Sequence, residues 1–200
     1  FRHAHGLCDR PVLLAAGRLT QRKGLAEFIR CALPAILKQV PDVMLLIIGS
    51  EATSALKHRE GIEAGIRATI AETAMTAHVR LLGAVDDRTL SDAYFAADAM
   101  IFPVLDLPGD VEGFGMVAVE AAAHGLPTVA FAVGGVPDAV ADGESGWLVE
   151  SGYYEGFASR VLALLGGLKR GDVAQQCRGH AERFEWTEFG RRLGAAVGVA

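Results

Sequence analysis

Short apolar runs with little polar alternation recur along this chain, and most stop at glycine or proline. Residues 11–16 (Pro-Val-Leu-Leu-Ala-Ala) end at Gly17, residues 43–48 (Val-Met-Leu-Leu-Ile-Ile) at Gly49, residues 79–82 at Gly83 and residues 99–102 at Pro103. Residues 128–132 run up to Gly134-Gly135, and residues 146–149 form the last such run. Segments with helical spacing separate them: residues 24–40, 52–77, 87–97 and the stretch 109–127. Helices at about 153–168, 172–183 and 187–197 close the chain. A strand with one wet face alternates apolar and polar residues, so runs without alternation are covered on both faces. Such strands, alternating with helices, specify an α/β fold: a Rossmann-like, doubly wound parallel sheet of about six strands. No repeat, low-complexity tract or linker interrupts the rhythm, so residues 1–200 read as one domain.

In a sheet of this kind ligands bind beyond the carboxyl ends of the strands. Those ends carry Gly17-Arg18, Gly49-Ser50, Gly83, the stretch from Pro103 to Gly115, and Gly134-Gly135. The stretch 109–127 opens as a glycine-rich turn, Glu112-Gly113-Phe114-Gly115, and becomes a helix that is apolar almost all round. Met116, Val117, Ala118, Val119, Ala121, Ala122 and Ala123 surround one acid, Glu120, which predicts a buried helix with a carboxylate that needs a partner. The N–H groups of Phe114, Gly115 and Met116 would lie at the positive pole of that helix and form an anion site. Glu120, leaning back toward the N-terminus, could reach the vicinal hydroxyls of a ribose beside a bound phosphate. Glu112 could serve a sugar on the far side of it. A structural carboxylate and a loop charge are the plainer alternatives for the two acids.

Gly17-Arg18-Leu19-Thr20-Gln21-Arg22-Lys23-Gly24 opens the first helix. Cations at a helix N-terminus oppose its dipole. Arg18 and Lys23 therefore read either as a clamp for a bound phosphate or as two solvated surface charges. His124, near the end of the central helix, suits a capping role. Phe184, Trp186 and Phe189 read as a core anchor for the final helix, and Arg178, Arg183, Arg191 and Arg192 as a solvated face.

Composition removes other classes. A net charge of −5 argues against a general nucleic-acid binder. The 3 cysteines are scattered without a C-x-x-C, which points away from a disulfide framework or zinc cage and toward a reducing compartment. His3-x-His5-x-x-Cys8 is too sparse a set to expect a metal. No run reaches about 18 apolar residues, so no membrane-spanning helix is expected. The start, Phe1-Arg2-His3, reads like the middle of a longer chain.

Gly17-Arg18-Leu19 with Lys23-Gly24, Glu112-Gly113-Phe114-Gly115 with Glu120 at E-x7-E spacing, Gly125-x-Pro127, Gly134-Gly135-x-Pro137 and Asp142-Gly143-x-x-Gly146 occur in that order. Together they resemble the carboxyl-terminal half of retaining GT-B glycosyltransferases of family 4, across nearly the whole chain. The resemblance implies one half of a GT-B fold that binds a nucleotide-diphosphate sugar. It implies that Arg18, Lys23 and Glu112 carry the chemistry. Gly17, Phe114, Gly115, Met116 and Glu120 would hold the donor, and a loop around Arg80 and Leu81 would frame the base. It implies no cofactor and no metal, a UDP-sugar ahead of GDP- or ADP-sugars, and a cytoplasmic setting in cell-envelope polysaccharide synthesis. Peripheral membrane association is left open to the full-length enzyme. An amino-terminal acceptor domain would supply the other wall of the cleft, so this chain alone should bind donor and catalyse little. Gly49-Ser50-Glu51 departs from the Gly-x-Gly turn frequent in the family.

A nucleotide-sugar epimerase of GT-B shape and a non-catalytic nucleotide-binding module are the competing readings. A nicotinamide dehydrogenase fits poorly, because the first strand is not followed by G-x-G-x-x-G.

Overall fold

The computed structural model describes residues 1–51, 61–167 and 170–198. Its strands are β1 (Val12–Ala16), β2 (Met44–Ile48), β3 (Val79–Gly83), β4 (Ala99–Phe102), β5 (Thr128–Phe131) and β6 (Gly146–Val149). All pair in parallel, in the order β3-β2-β1-β4-β5-β6. The helices are α1 (Leu25–Cys31), α2 (Leu33–Gln39), α3 (Ile62–Glu72), α4 (Asp87–Ala96) and α5 (Met116–Ala123), followed by α6 (Val136–Ala139), α7 (Tyr154–Gly167), α8 (Arg170–Ala181) and α9 (Trp186–Val197). The expected α/β sheet is therefore present. β1, β2, β4 and β5 are buried along their whole length, as runs without alternation require. Under the sheet Phe28 of α1 and Phe131 of β5 pack edge-on against Phe157 of α7, at centroid distances of 5.4 and 5.0 Å.

The strand order reverses between β1 and β4, which pair in register (Leu13 with Ala99, Leu14 with Met100). This is the topological switch point, where the loops leaving two neighbouring strands diverge and leave a crevice.

Some local expectations are corrected. Residues 24–40 are not one helix: it breaks at Ala32, because Pro34 lies in the first turn of α2 and cannot continue α1. The helix expected over 52–77 is present as α3 but ends at Glu72, with Ala74 at φ +56° turning the chain before β3; residues 52–60 lie outside the described residues. Of the final aromatic group, Phe184 packs against Phe114 and His180, but Trp186 and Phe189 do not anchor the last helix in the core. Trp186 is 84% exposed and Phe189 54%. With Leu193 and Val197 they line one face of α9 that turns away from the sheet.

The central helix α5 is also less buried than its composition predicts. Ala118, Ala121 and Ala122 pack inward, the last against Val173 and Cys177 of α8. Met116, at the open edge of the sheet, is exposed, and Val117, Val119 and Glu120 are half-buried.

Candidate active site

The turn leaving β1 and the segment leaving β4 are joined at the switch point. Gln21–Lys23 forms a single 3-10 turn that Gly24 ends with φ +64°. A side chain there would place its Cβ 2.0 Å from the Pro103 carbonyl oxygen, so the position demands glycine for space as well as conformation. One residue pair further on, Leu105 N–H donates to the Arg22 carbonyl (2.7 Å). This contact fixes Arg22 and Lys23 beneath the lead-in to α5.

A compact ionic cluster results. Lys23 Nζ donates to Glu112 Oε2 at 2.8 Å. Arg22 Nε donates to the same oxygen at 3.2 Å, and Arg22 Nη1 donates to Asp110 Oδ1 at 3.0 Å. Lys23 also stands over the Phe102 ring, 4.5 Å from its centroid. Burial alone would raise the Glu112 carboxyl, but the hydrogen bonds and charges of Lys23 and Arg22 outweigh it and hold it below the usual range. Burial lowers Lys23, helped by the charges of Arg22 and Arg18 and only partly offset by Glu112. The backbone carrying Glu112 is held as well. Gly135 N–H donates to the Glu112 carbonyl at 2.9 Å, and a Cβ on Gly135 would lie 2.0 Å from the Gly113 carbonyl oxygen. Beyond Gly135, His180 Nε2 meets the Ala139 carbonyl at 3.0 Å and so ties the end of α6 to α8.

α5 begins immediately after this cluster. Gly115 is its N-cap with φ +95°; no side chain caps it and its first turn holds no acid. The positive pole of the helix is thus left uncompensated by the protein. Gly17 lies against its first turn, with a built Cβ 3.3 Å from Val117. The exposed Arg18 follows, and Arg18 and Lys23 line one narrow crevice with Gly17, Phe102 and Pro103.

Glu120 is four residues after Met116, on the same side of α5. Its partner is Tyr94 of α4, whose hydroxyl donates to Glu120 Oε2 at 3.0 Å. Tyr94 is itself buried and stacks on His124 (4.9 Å between centroids). His124 Nδ1 lies 2.7 Å from the Glu120 carbonyl, which is the capping role expected of it.

The structure thus brings Gly17, Arg18, Lys23, Glu112, Phe114, Gly115, Met116 and Glu120 to one edge of the sheet. The deeply buried, ion-paired acid is Glu112, where the sequence suggested Glu120. Arg80 and Leu81 need correction: they lie inside β3, which ends only at Gly83, and are not in a loop. The Arg80 guanidinium is bonded to the His5 carbonyl of the N-terminal segment. Sequence reasoning passed over Arg22 and Tyr94. Arg22 had a visible signal, a second cation beside Lys23 at a strand end. Tyr94 had none, since one tyrosine in a helix reads as core. Among the described residues no three His, Cys, Asp or Glu side chains are grouped to hold a metal. No helix among them is long and apolar enough to cross a membrane.

Residues 10–166 match the family model for glycosyl transferases group 1. The chain is 31% identical over 197 residues to a GDP-mannose-dependent alpha-(1-6)-phosphatidylinositol monomannoside mannosyltransferase of Mycolicibacterium smegmatis, covering 96% of this chain and 49% of that protein. Among solved structures it is similar to Anabaena HepE in complex with UDP and glucose, with a TM-score of 0.80 and 21% identity over 100% of this chain and 51% of that one. It is also similar to the C-terminal domain of a glycosyl transferase group 1 family protein (LpcC) from Francisella tularensis, with a TM-score of 0.68, 24% identity and coverage of 86% and 84%. The chain spans about half the length of the curated relatives it matches. It belongs to the group 1 glycosyl transferases, and its sheet has the GT-B, Rossmann-like form of its structural neighbours.

Proposed function

We propose that this group 1 glycosyl transferase chain binds a nucleotide-diphosphate sugar at the β1–β4 switch point. It would present the sugar for retaining transfer to an acceptor held by a separate amino-terminal domain. The observation that carries the reading is the start of α5: a helix N-terminus with neither cap nor acid, open at the strand ends and flanked by Arg18 and Lys23. Two phosphates placed there meet backbone N–H groups, a guanidinium fork and an ammonium. In the reaction the same groups stabilise the charge that develops on the departing diphosphate, which is where electrostatic catalysis acts. Glu120 takes the ribose hydroxyls and Glu112 addresses the transferred sugar. Neither acid suits the nucleophile of a double displacement. Glu112 has one oxygen held by two cations, and Glu120 is assigned to the ribose.

The mycobacterial relative is named for GDP-mannose and HepE was solved with UDP. The higher identity to the former moves GDP ahead of the UDP preference drawn from the family. An inositol-bearing lipid headgroup is the acceptor to try first once a full-length enzyme is in hand.

Calorimetry of the chain against UDP, GDP, ADP and their sugars tests the reading. Glu120→Ala should weaken every nucleotide, whereas Glu112→Gln should weaken mainly the sugar-bearing donors. Absence of binding by the whole panel at about 1 mM would overturn it.

A further inference from the structure

Tyr94 lies outside every motif that marks this site, yet it holds one of the site's two acids. The tyrosine is only 2% exposed, on a helix whose start is fixed by the Asp86 carboxylate accepting from Thr89 N–H at 2.7 Å. Its hydroxyl points at Glu120 Oε2, 3.0 Å away. Burial, reinforced by the neighbouring carboxylate, pushes the Tyr94 phenol far up, so the hydroxyl keeps its proton and donates. Behind the ring, His124 stacks at 4.9 Å with planes 28° apart, and the Phe95 ring also meets His124, edge-on at 4.8 Å. His124 is in turn held at both nitrogens. Nδ1 faces the Glu120 carbonyl at 2.7 Å, and a carbonyl only accepts, so Nδ1 carries a proton. Nε2 meets the Ser91 hydroxyl at 2.9 Å. Ser91, His124 and Tyr94 thus form a brace between α4 and α5 that ends on the Glu120 carboxylate.

A carboxylate recognises a vicinal diol only if its plane is set so that each oxygen meets one hydroxyl. A half-buried glutamate with no partner would sample several rotamers and lose that orientation on average. From the brace we infer that Tyr94 is a positioning residue which sets the Glu120 carboxylate for two adjacent hydroxyls. In this way it determines the preference of the site for ribonucleotides over deoxyribonucleotides. Tyr94 occupies one lone pair of Oε2 and leaves the others on both oxygens for the diol. The inference rests on the ribose role proposed for Glu120.

The test compares UDP and GDP with their 2′-deoxy forms, by calorimetry, on the wild-type chain and on Tyr94→Phe, Ser91→Ala and Glu120→Gln. Wild type should prefer the ribonucleotide by roughly tenfold or more, the range of a hydrogen bond to a charged group. Tyr94→Phe keeps the ring and its stacking but removes the donor. It should cut that preference by about fivefold while leaving affinity for the 2′-deoxy form nearly unchanged. A merely structural role would weaken both ligands equally. Ser91→Ala leaves the tyrosine in place and loosens the histidine behind it. It should lower the preference by about twofold, and it reads the same brace should Tyr94→Phe fail to fold. If the preference disappears in Glu120→Gln but survives intact in Tyr94→Phe, or in Ser91→Ala where that variant must stand in, the positioning role is overturned and the ribose role stands. If wild type shows no preference, or Glu120→Gln retains it, the ribose role falls and the inference falls with it.

Discussion

Lys23 and Glu112 give the sharpest quantitative expectation. Their charges are 2.8 Å apart with both side chains 11% exposed. At that distance and an effective dielectric of about 20 the attraction is about 6 kcal/mol. Desolvation of two ions opposes it by several kcal/mol each, so the pair as a whole is close to neutral for stability. Removing one partner is different, because it strands the other, and costs roughly 3–5 kcal/mol. Arg22 makes the two single losses unequal. With Lys23→Met, Glu112 keeps Arg22 at 3.2 Å, so the cost should be about 3 kcal/mol. With Glu112→Leu, Lys23 loses the carboxylate it is paired with and Arg22 keeps Asp110 at 3.0 Å, so the cost should approach about 5 kcal/mol. In a chain of this length these correspond to falls in Tm of roughly 6–12 °C and 10–20 °C. The double variant should return to within about 1 kcal/mol of wild type, since neither charge of the pair is stranded and Arg22 keeps Asp110. It should nonetheless have lost nucleotide binding with Lys23, which separates the pair's role in the site from its role in the fold. Thermal and urea melts of the four proteins measure this. Single variants each within about 0.5 kcal/mol of wild type, with an additive double, would refute the account of a buried, mutually dependent pair.

Acid should expose the same cluster. The Glu112 carboxyl lies below its ordinary value of 4.5 when folded, so its stabilising contribution is complete above that pH and is lost as pH falls through the lower folded value. Stability measured from pH 6 down to about 3 should therefore drop less in Glu112→Gln, relative to that variant's own plateau, than in wild type. Gly24→Ala should cost more than about 3 kcal/mol in urea melts, because φ +64° and a Cβ 2.0 Å from the Pro103 carbonyl oxygen act together. Phe157→Ala removes a side chain with 0% exposure and should cost roughly 3–5 kcal/mol. Phe189→Ser, at a position 54% exposed, should change stability by less than about 0.5 kcal/mol by the same melts.

The sheet was legible in the sequence because its signals are local. A run such as Met44–Ile48, apolar at every position, too short for a helix and closed by a glycine, reads as a strand covered on both faces. The start of α4 lies where the spacing put it, at Asp87, with the Asp86 carboxylate capping it. The edge of the sheet that carries the site was legible too, since parallel strands put all their carboxyl ends on one side. The break between α1 and α2 was missed, although Pro34 is a local signal for it.

Partners were another matter. Lys23 and Glu112 are 89 positions apart, and Tyr94 and Glu120 are 26 apart. Nothing in local pattern says that they meet. The strand order decides it by placing β1 beside β4 and so pressing the turn after one against the lead-in after the other. That juxtaposition buries Glu112, whose neighbours in sequence read as an open loop, and leaves Glu120 half-buried on a helix that is otherwise apolar. It also left α9 with an apolar face turned from the core, although its spacing of Trp186, Phe189 and Leu193 is that of a buried helix. Periodicity reports that a face is apolar, and only the packed chain reports what, if anything, covers it. The sequence by itself thus determined the elements, the sheet and the edge where chemistry belongs. The tertiary structure alone decided which charges are paired and which side chain holds each acid in place, because pair energies depend on distance and burial, and both are set by contacts between segments far apart along the chain.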